Sequence, residues 1–224
     1  MQHPATTVVR EAVVREAVER FAAFTDGPAS SAIVAQRFCN ALSESQGEAA
    51  LEIGVRAGGM SAIFCHIARS LAPPSFMVFS VDPWGSAPYM EGGKDVSWGL
   101  GYDDGCYVRA RLLLAGFPGS VLYRLDADTF LCHLLPNLRW WVEHEPHPQR
   151  ANFLSFAYLD GRHDGLSVAG ELARVAPFVA PGGCVMIDNI DKCPEVRPLF
   201  GAMSNFSAEF IPENRVALTR LDRR

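Results

Sequence analysis

Alternation constrains this chain most. Short apolar runs, AALEIGV, FMVFSVD, SVLYRLD, FLSFAYLD and GCVMIDN, recur between Ala49 and Asn189, with the helix-like segments MSAIFCHIARSL, YVRARLLLAGF, TFLCHLL and SVAGELARVAPFV between them. Strands buried on both faces read as continuous hydrophobic runs, and parallel neighbours need a crossover connection, usually a helix. The pattern predicts a doubly wound α/β fold: a mostly parallel, seven-stranded sheet with helices on both faces. FSAEFI and RVALTRL, on either side of the turn PEN, predict a closing antiparallel hairpin.

Ahead of this pattern, Thr6 to Phe24 contains VVREAVVREAV, whose apolar and charged spacing suits an amphipathic helix. A DGP turn at Asp26 to Pro28 precedes SSAIVAQRFCNALSE, a second helix for which Ser30 or Ser31 is the expected cap. Residues 1–46 are read as N-terminal helices that pack on or cap a core formed by residues 47–224, and they offer a candidate homodimer surface. Two stretches exceed the minimal alternation. Gly85 to Gly105 holds Tyr89, Trp98 and Tyr102 and is expected to act as a lid; Asn137 to Asn152 holds Trp140, Trp141, His144 and His147 and has no assigned place.

At 224 residues the chain can build one domain with a substantial core. A net charge of -5 with scattered Lys and Arg argues against nucleic acid as a partner. No apolar run approaches the roughly 20 residues that span a bilayer, and MQHPATTVVREAV lacks the features of a secretory signal, so a soluble cytoplasmic protein is expected. The six cysteines form no CxxC pair and read as reduced, mostly buried thiols.

The first strand runs into LEIGVRAGG. Gly54, Gly58 and Gly59 let backbone approach a ligand closely, and the following helix points free N–H groups at it. Ligands of such folds bind at the carboxyl edge of the sheet. The spacing G-x-x-x-G-G, with Arg56 between, departs from the G-x-G-x-x-G of dinucleotide sites and disfavours NAD. Asp82, ending the second strand in FSVDPW, is placed to accept hydrogen bonds from the hydroxyls of a ribose; a turn residue before Pro83 is the competing reading.

Buried acids at the tips of later strands need compensation. Asp160 ends FLSFAYLD, and Asp188 and Asn189 end GCVMIDN. If those strands are neighbours, two carboxylates and an amide oxygen converge, a hard donor set suited to Mg²⁺ or a similar divalent cation. Polar strand caps are the alternative. His163, in DGRHD, is a candidate base, since imidazole titrates near neutrality; an exposed loop histidine beside Asp164 is the alternative. His66 and His133 lie in apolar helical segments and read as core or helix-face residues.

Together LEIGVRAGGMS, VDPW, YLDGRHDG and APGGCVMIDN resemble the class I, Rossmann-like, S-adenosylmethionine-dependent methyltransferases. Within these the chain resembles the metal-dependent small-molecule O-methyltransferases of the catechol and macrolide-sugar types, over roughly Ala50 to Asp191. The resemblance implies that Glu52 and Gly54 line the methionine end of the cofactor, that Asp82 holds the ribose, and that Ala127 and Asp128 flank the adenine. It also implies that Asp160, Asp188 and Asn189 hold Mg²⁺ while His163 stands where the sugar type has its histidine base. The implied reaction is methylation of a hydroxyl on a sugar, phenol or natural-product intermediate, with Trp84, Tyr89, Trp98 and Tyr102 available to shape the acceptor site. Metal-independent methylation and a non-catalytic cofactor-binding module are the rival readings.

Overall fold

The computed structural model describes residues 4–85, 90–91, 94–95, 103–138 and 152–222. Tyr89, Trp98, Tyr102, Trp140, Trp141, His144 and His147, and with them most of the expected lid, lie outside the described residues.

Strands β1 (Ala49–Ile53), β2 (Met77–Val81), β5 (Ser120–Tyr123), β6 (Leu154–Leu159), β7 (Val179–Ile187), β8 (Phe206–Ile211) and β9 (Arg215–Arg220) form one sheet, ordered β5-β2-β1-β6-β7-β9-β8. A separate pair joins β3 (Met90–Glu91) to β4 (Lys94–Asp95). In the large sheet the pairings from β5 through β7 are parallel, and those of β9 with β7 and β8 are antiparallel. Every residue of β1 and β6 is buried, which is why the central strands appear in the sequence as nearly continuous apolar runs, with Glu52 and Ser155 the polar exceptions. Edge strand β8 is mostly exposed.

The chain leaves β1 towards β2 and β5 on one side, and returns to β6 and β7 on the other. The crevice between the carboxyl ends of β1 and β6 is therefore the switch point where open α/β sheets bind ligands.

Side chains alternate between two cores. Leu51, Ile53, Leu159 and Ile187 face α5 (Ala127–Thr129, continuing through a π turn at Phe130–Leu134 and a 3-10 turn at Leu135–Asn137) and α6 (Gly165–Val175). Ala50, Phe156, Tyr158 and Met186 face α1 (Pro4–Phe21), α2 (Pro28–Glu44) and α3 (Gly59–Leu71). Phe38, Phe64 and Phe156 meet there with ring centroids 4.9 to 5.5 Å apart. Helix α4 (Asp104–Leu114), capped by the Asp103 carboxylate, covers the glycine turn through Ala110. Helix α7 (Arg197–Ala202) precedes β8.

Three local readings shift. Among the α1 residues whose side chains are described, Val14, Ala17, Val18 and Phe21 are the buried ones, so the i, i+3, i+4, i+7 stripe covers its second half while Val8 and Val9 stay exposed. Helix α2 starts before the serines: Gly27 is its N-cap and Pro28, with φ already fixed, its first residue. Ser31 instead donates from Oγ to the Gly27 carbonyl at 2.8 Å. TFLCHLL widens into a π turn over Phe130–Leu134, closed by the Leu135 amide on the Phe130 carbonyl, just ahead of Pro136, which has no N–H to donate.

All six cysteines are free and five are buried. Among the described residues no helix is long and apolar enough to cross a membrane.

Candidate active site

The carboxyl ends of β1, β2, β5, β6 and β7 open into one cavity of about 420 Å³. Its floor is the turn after β1. Gly54 has φ +89°, and a Cβ there would collide with the Asp160 carbonyl, so glycine lets the turn lie against the end of β6. Gly58 (φ +87°) faces Ala110 of α4, where a Cβ would come within 3.1 Å of its Cα; Gly59, not Gly58, lines the cavity. Arg56 also has positive φ, +52°, a backbone conformation that favours glycine and that a side chain adopts only when held there. Its amide and an ion pair between its guanidinium and Asp26 hold it there.

Asp82 organises that turn. Its Oδ2 accepts from the amides of Val55 and Arg56, both at 2.9 Å, and Oδ1 accepts from the Trp84 amide at 2.8 Å. The Trp84 indole N–H closes the loop onto the Arg56 carbonyl at 2.6 Å. Burial raises the Asp82 pKa and the three N–H groups oppose that shift, so the carboxylate is desolvated yet well supplied with donors.

Glu52 alternates to the α3 side of β1 and is 2% exposed. Ser61 of α3 donates to it and lies 2.6 Å from the Ser80 hydroxyl of β2. Burial pushes the Glu52 acid up to about 8.

At the other wall, β6 and β7 pair in register through Leu159 and Ile187, so Asp160 and Asp188 emerge side by side. Burial and the neighbouring Asp188 push the Asp160 carboxyl well above the usual carboxylate range. Arg215, the first residue of β9, brings Nε to 2.6 Å from Asp188 Oδ1, a side-by-side ion pair in which neither atom makes an aligned hydrogen bond. The same guanidinium reaches Glu213 at 2.7 Å and the Ser30 hydroxyl of α2. Asn189 (φ +52°) donates from Nδ2 to Asp188 Oδ2 at 3.1 Å and lies 3.4 Å from His163 Nε2, which is 3.9 Å from Asp160 Oδ1.

Thus Glu52, Gly54, Asp82, Ala127, Asp128, Asp160, His163, Asp188 and Asn189 all line the one cavity, and Gly58 does not. Arg215, Tyr158, Glu171 and the Phe24–Asp26 segment line it too, without having been singled out from the sequence. His66 lies apart: it is buried 3.4 Å from Glu16 and edge-on to Phe21. His133 is exposed on its helical turn.

The family model described as a methyltransferase domain matches residues 51–190. The chain belongs to the methyltransferase family. In fold, this methyltransferase is similar to the O-methyltransferase NovP at 18% identity, covering 88% of this chain and 81% of that one with a TM-score of 0.58. It is also similar to a putative O-methyltransferase from Klebsiella pneumoniae, at 15% identity with 99% and 92% covered and a TM-score of 0.61. A third is the O-methyltransferase from Bacillus cereus in complex with SAH, at 12% identity with 93% and 91% covered and a TM-score of 0.54. At such identities the likeness is one of fold, the Rossmann-like class I methyltransferase fold. No curated protein matches the sequence.

Among the described residues, no three His, Cys, Asp or Glu side chains gather as a metal site. The donors at the β6 and β7 tips nevertheless have the chemistry for a hard cation. Two carboxyls in contact, Asp188 buried and Asp160 half-buried, must share a proton or be met by positive charge. Arg215 supplies it to one oxygen of Asp188, while no guanidinium or ammonium group among the described residues pairs with Asp160.

Proposed function

We propose that this methyltransferase uses S-adenosylmethionine to methylate a hydroxyl of a small molecule, a sugar, phenol or natural-product intermediate, with Mg²⁺ or a similar divalent cation held by Asp160, Asp188 and Asn189. The observation that carries the reading is the abutting pair Asp160 and Asp188 in the same cavity as the glycine turn. The cofactor supplies a methyl group on a positively charged sulfur.

Glu52 suits the charged end of that molecule, because a nearby ammonium or sulfonium favours the ionised form of an acid otherwise kept neutral by burial. Asp82 keeps lone pairs for a ribose hydroxyl beyond its three backbone donors. Ala127 and Asp128 flank the base. A divalent cation supplies charge to the paired carboxyls and lowers the pKa of a bound hydroxyl. His163 takes the acceptor's proton at Nε2, the nitrogen that faces Asn189 and Asp160.

Calorimetric titration of S-adenosylhomocysteine, with Mg²⁺ and with a chelator, tests this reading, with NAD as the control. Binding of the homocysteine compound and none of NAD is expected; NAD binding alone would remove the basis for every site assignment. A second reading has its own observation. Arg215 already compensates Asp188, so a metal-independent enzyme would bind its acceptor at these acids, and turnover insensitive to chelation would select it.

A further inference from the structure

Glu171 has no role in the chemistry above, yet its placement is unusual. It sits in the second turn of α6, 2% exposed, on the stripe Val168, Glu171, Leu172, Val175 that packs inward. Glu171 nevertheless lines the cavity, and its Oε2 is buried with no hydrogen-bond partner among the described residues. A buried acceptor without a donor is costly and rare, so its retention beside a cavity points to a partner carried by the ligand.

The surroundings say which part of the ligand. Oε1 lies under Gly161, 3.8 Å from where a Cβ would stand. Asp128, at the start of α5, is tied to α6 by an ion pair with Arg174 at 2.9 Å. The charged groups around Glu171 are therefore Asp128 from α5, Arg162 and Asp164 from the loop after β6, and Arg174 from its own helix. Glu171 thus lies between the turn that holds Ala127 and Asp128 and the loop that leads to His163, which is the base end of the cavity if the cofactor reading holds.

We infer that Glu171 reads the base of the cofactor: as a neutral acid it donates its O–H to an adenine ring nitrogen and accepts a hydrogen bond from the exocyclic amino group. An uncharged carboxyl carries one donor and one acceptor side by side, matching the acceptor and donor that adenine presents along either edge bearing the amino group. Burial, reinforced by Asp128, pushes this acid up to about 8, so it holds the required proton at neutral pH.

The inference rests on the cofactor reading, and the test separates the two. S-adenosylhomocysteine and its 1-deaza and 7-deaza analogues are titrated into wild type, Glu171→Gln and Glu171→Leu across pH 6.5–9.5, with Tm recorded for each variant. Expected for Glu171→Leu are about tenfold weaker binding of the parent compound, the worth of a buried hydrogen bond, and a Tm no lower than wild type. One deaza analogue binds wild type about tenfold more weakly than the parent, and Glu171→Leu abolishes that difference. Wild-type affinity falls as pH rises through about 8, whereas Glu171→Gln, which keeps a donor and an acceptor, binds without that fall. Parent binding unchanged in Glu171→Leu, or neither analogue distinguished, overturns the inference. Failure of the parent compound to bind wild type overturns the cofactor reading and this inference with it.

Discussion

The two ends of the cavity solve the same problem differently. At the β1–β2 end a buried carboxylate, Asp82, is surrounded by three backbone N–H groups that the chain itself supplies. At the β6–β7 end Asp160 meets another carboxyl, and among the described residues the guanidinium nearest that pair, Arg215, is committed to Asp188. The first half is complete without a ligand charge, so it can hold one part of a substrate in a fixed place. The second is short of positive charge, so it favours a state in which a cation arrives. Under the proposed function, preorganisation at one end would bind the cofactor by shape and charge deficit at the other would activate the acceptor by electrostatics.

Breaking either half separates these roles. The largest effect is expected from Arg215→Met, which leaves Asp188 buried and uncompensated; the cost is about 3–5 kcal/mol of stability. If charge deficit governs this end, Mg²⁺ recovers part of the lost Tm in the variant. Recovery of none, measured by thermal melts with and without the ion, would break the comparison.

Asp82→Ala comes next. It strands three donors in the glycine turn and is expected to cost about 2–4 kcal/mol, with S-adenosylhomocysteine binding lost and no recovery on adding Mg²⁺. Retained affinity in the folded variant would show that the turn does not depend on the carboxylate.

The smallest effect concerns Glu52, whose folded pKa of about 8 lies above its ordinary value. Stability linked to this acid is full below pH 4.5 and declines as pH rises from there through about 8, because only the folded state keeps the proton across that window. Glu52→Gln removes the decline. Its Tm should gain on wild type between pH 5 and 8 and run parallel above that; a constant offset at all pH values would contradict the assigned cause.

The legible parts of the molecule were those encoded locally. Completely buried strands such as AALEI and LSFAYL are mostly apolar, so their tips, and with them Asp82, Asp160 and Asp188, can be found by reading where the apolar run stops. Arg215 cannot. It reaches Asp188 only because β9 pairs antiparallel with β7 in a register that sets Val216 against Ile187, a relation no local pattern carries.

Glu171 was readable in principle: it shares the i, i+3, i+4, i+7 stripe of Val168, Leu172 and Val175, and an acid on an apolar stripe is a buried acid. Serine chemistry points to Ser30 or Ser31 as the cap of α2, but Pro28, whose ring fixes φ, sets the first helical residue and leaves Gly27 as the N-cap.

The account turns on whether the Asp160–Asp188 end takes a divalent cation, and the most direct measurement is titration of Mn²⁺, followed by electron paramagnetic resonance, into wild type and Asp160→Asn, each with S-adenosylhomocysteine present. The prediction is one bound ion in wild type and at least tenfold weaker binding in Asp160→Asn, with affinity for S-adenosylhomocysteine itself unchanged. No bound ion in wild type, or equal binding in the two proteins, would contradict it and leave Arg215 as the sole source of positive charge for these acids.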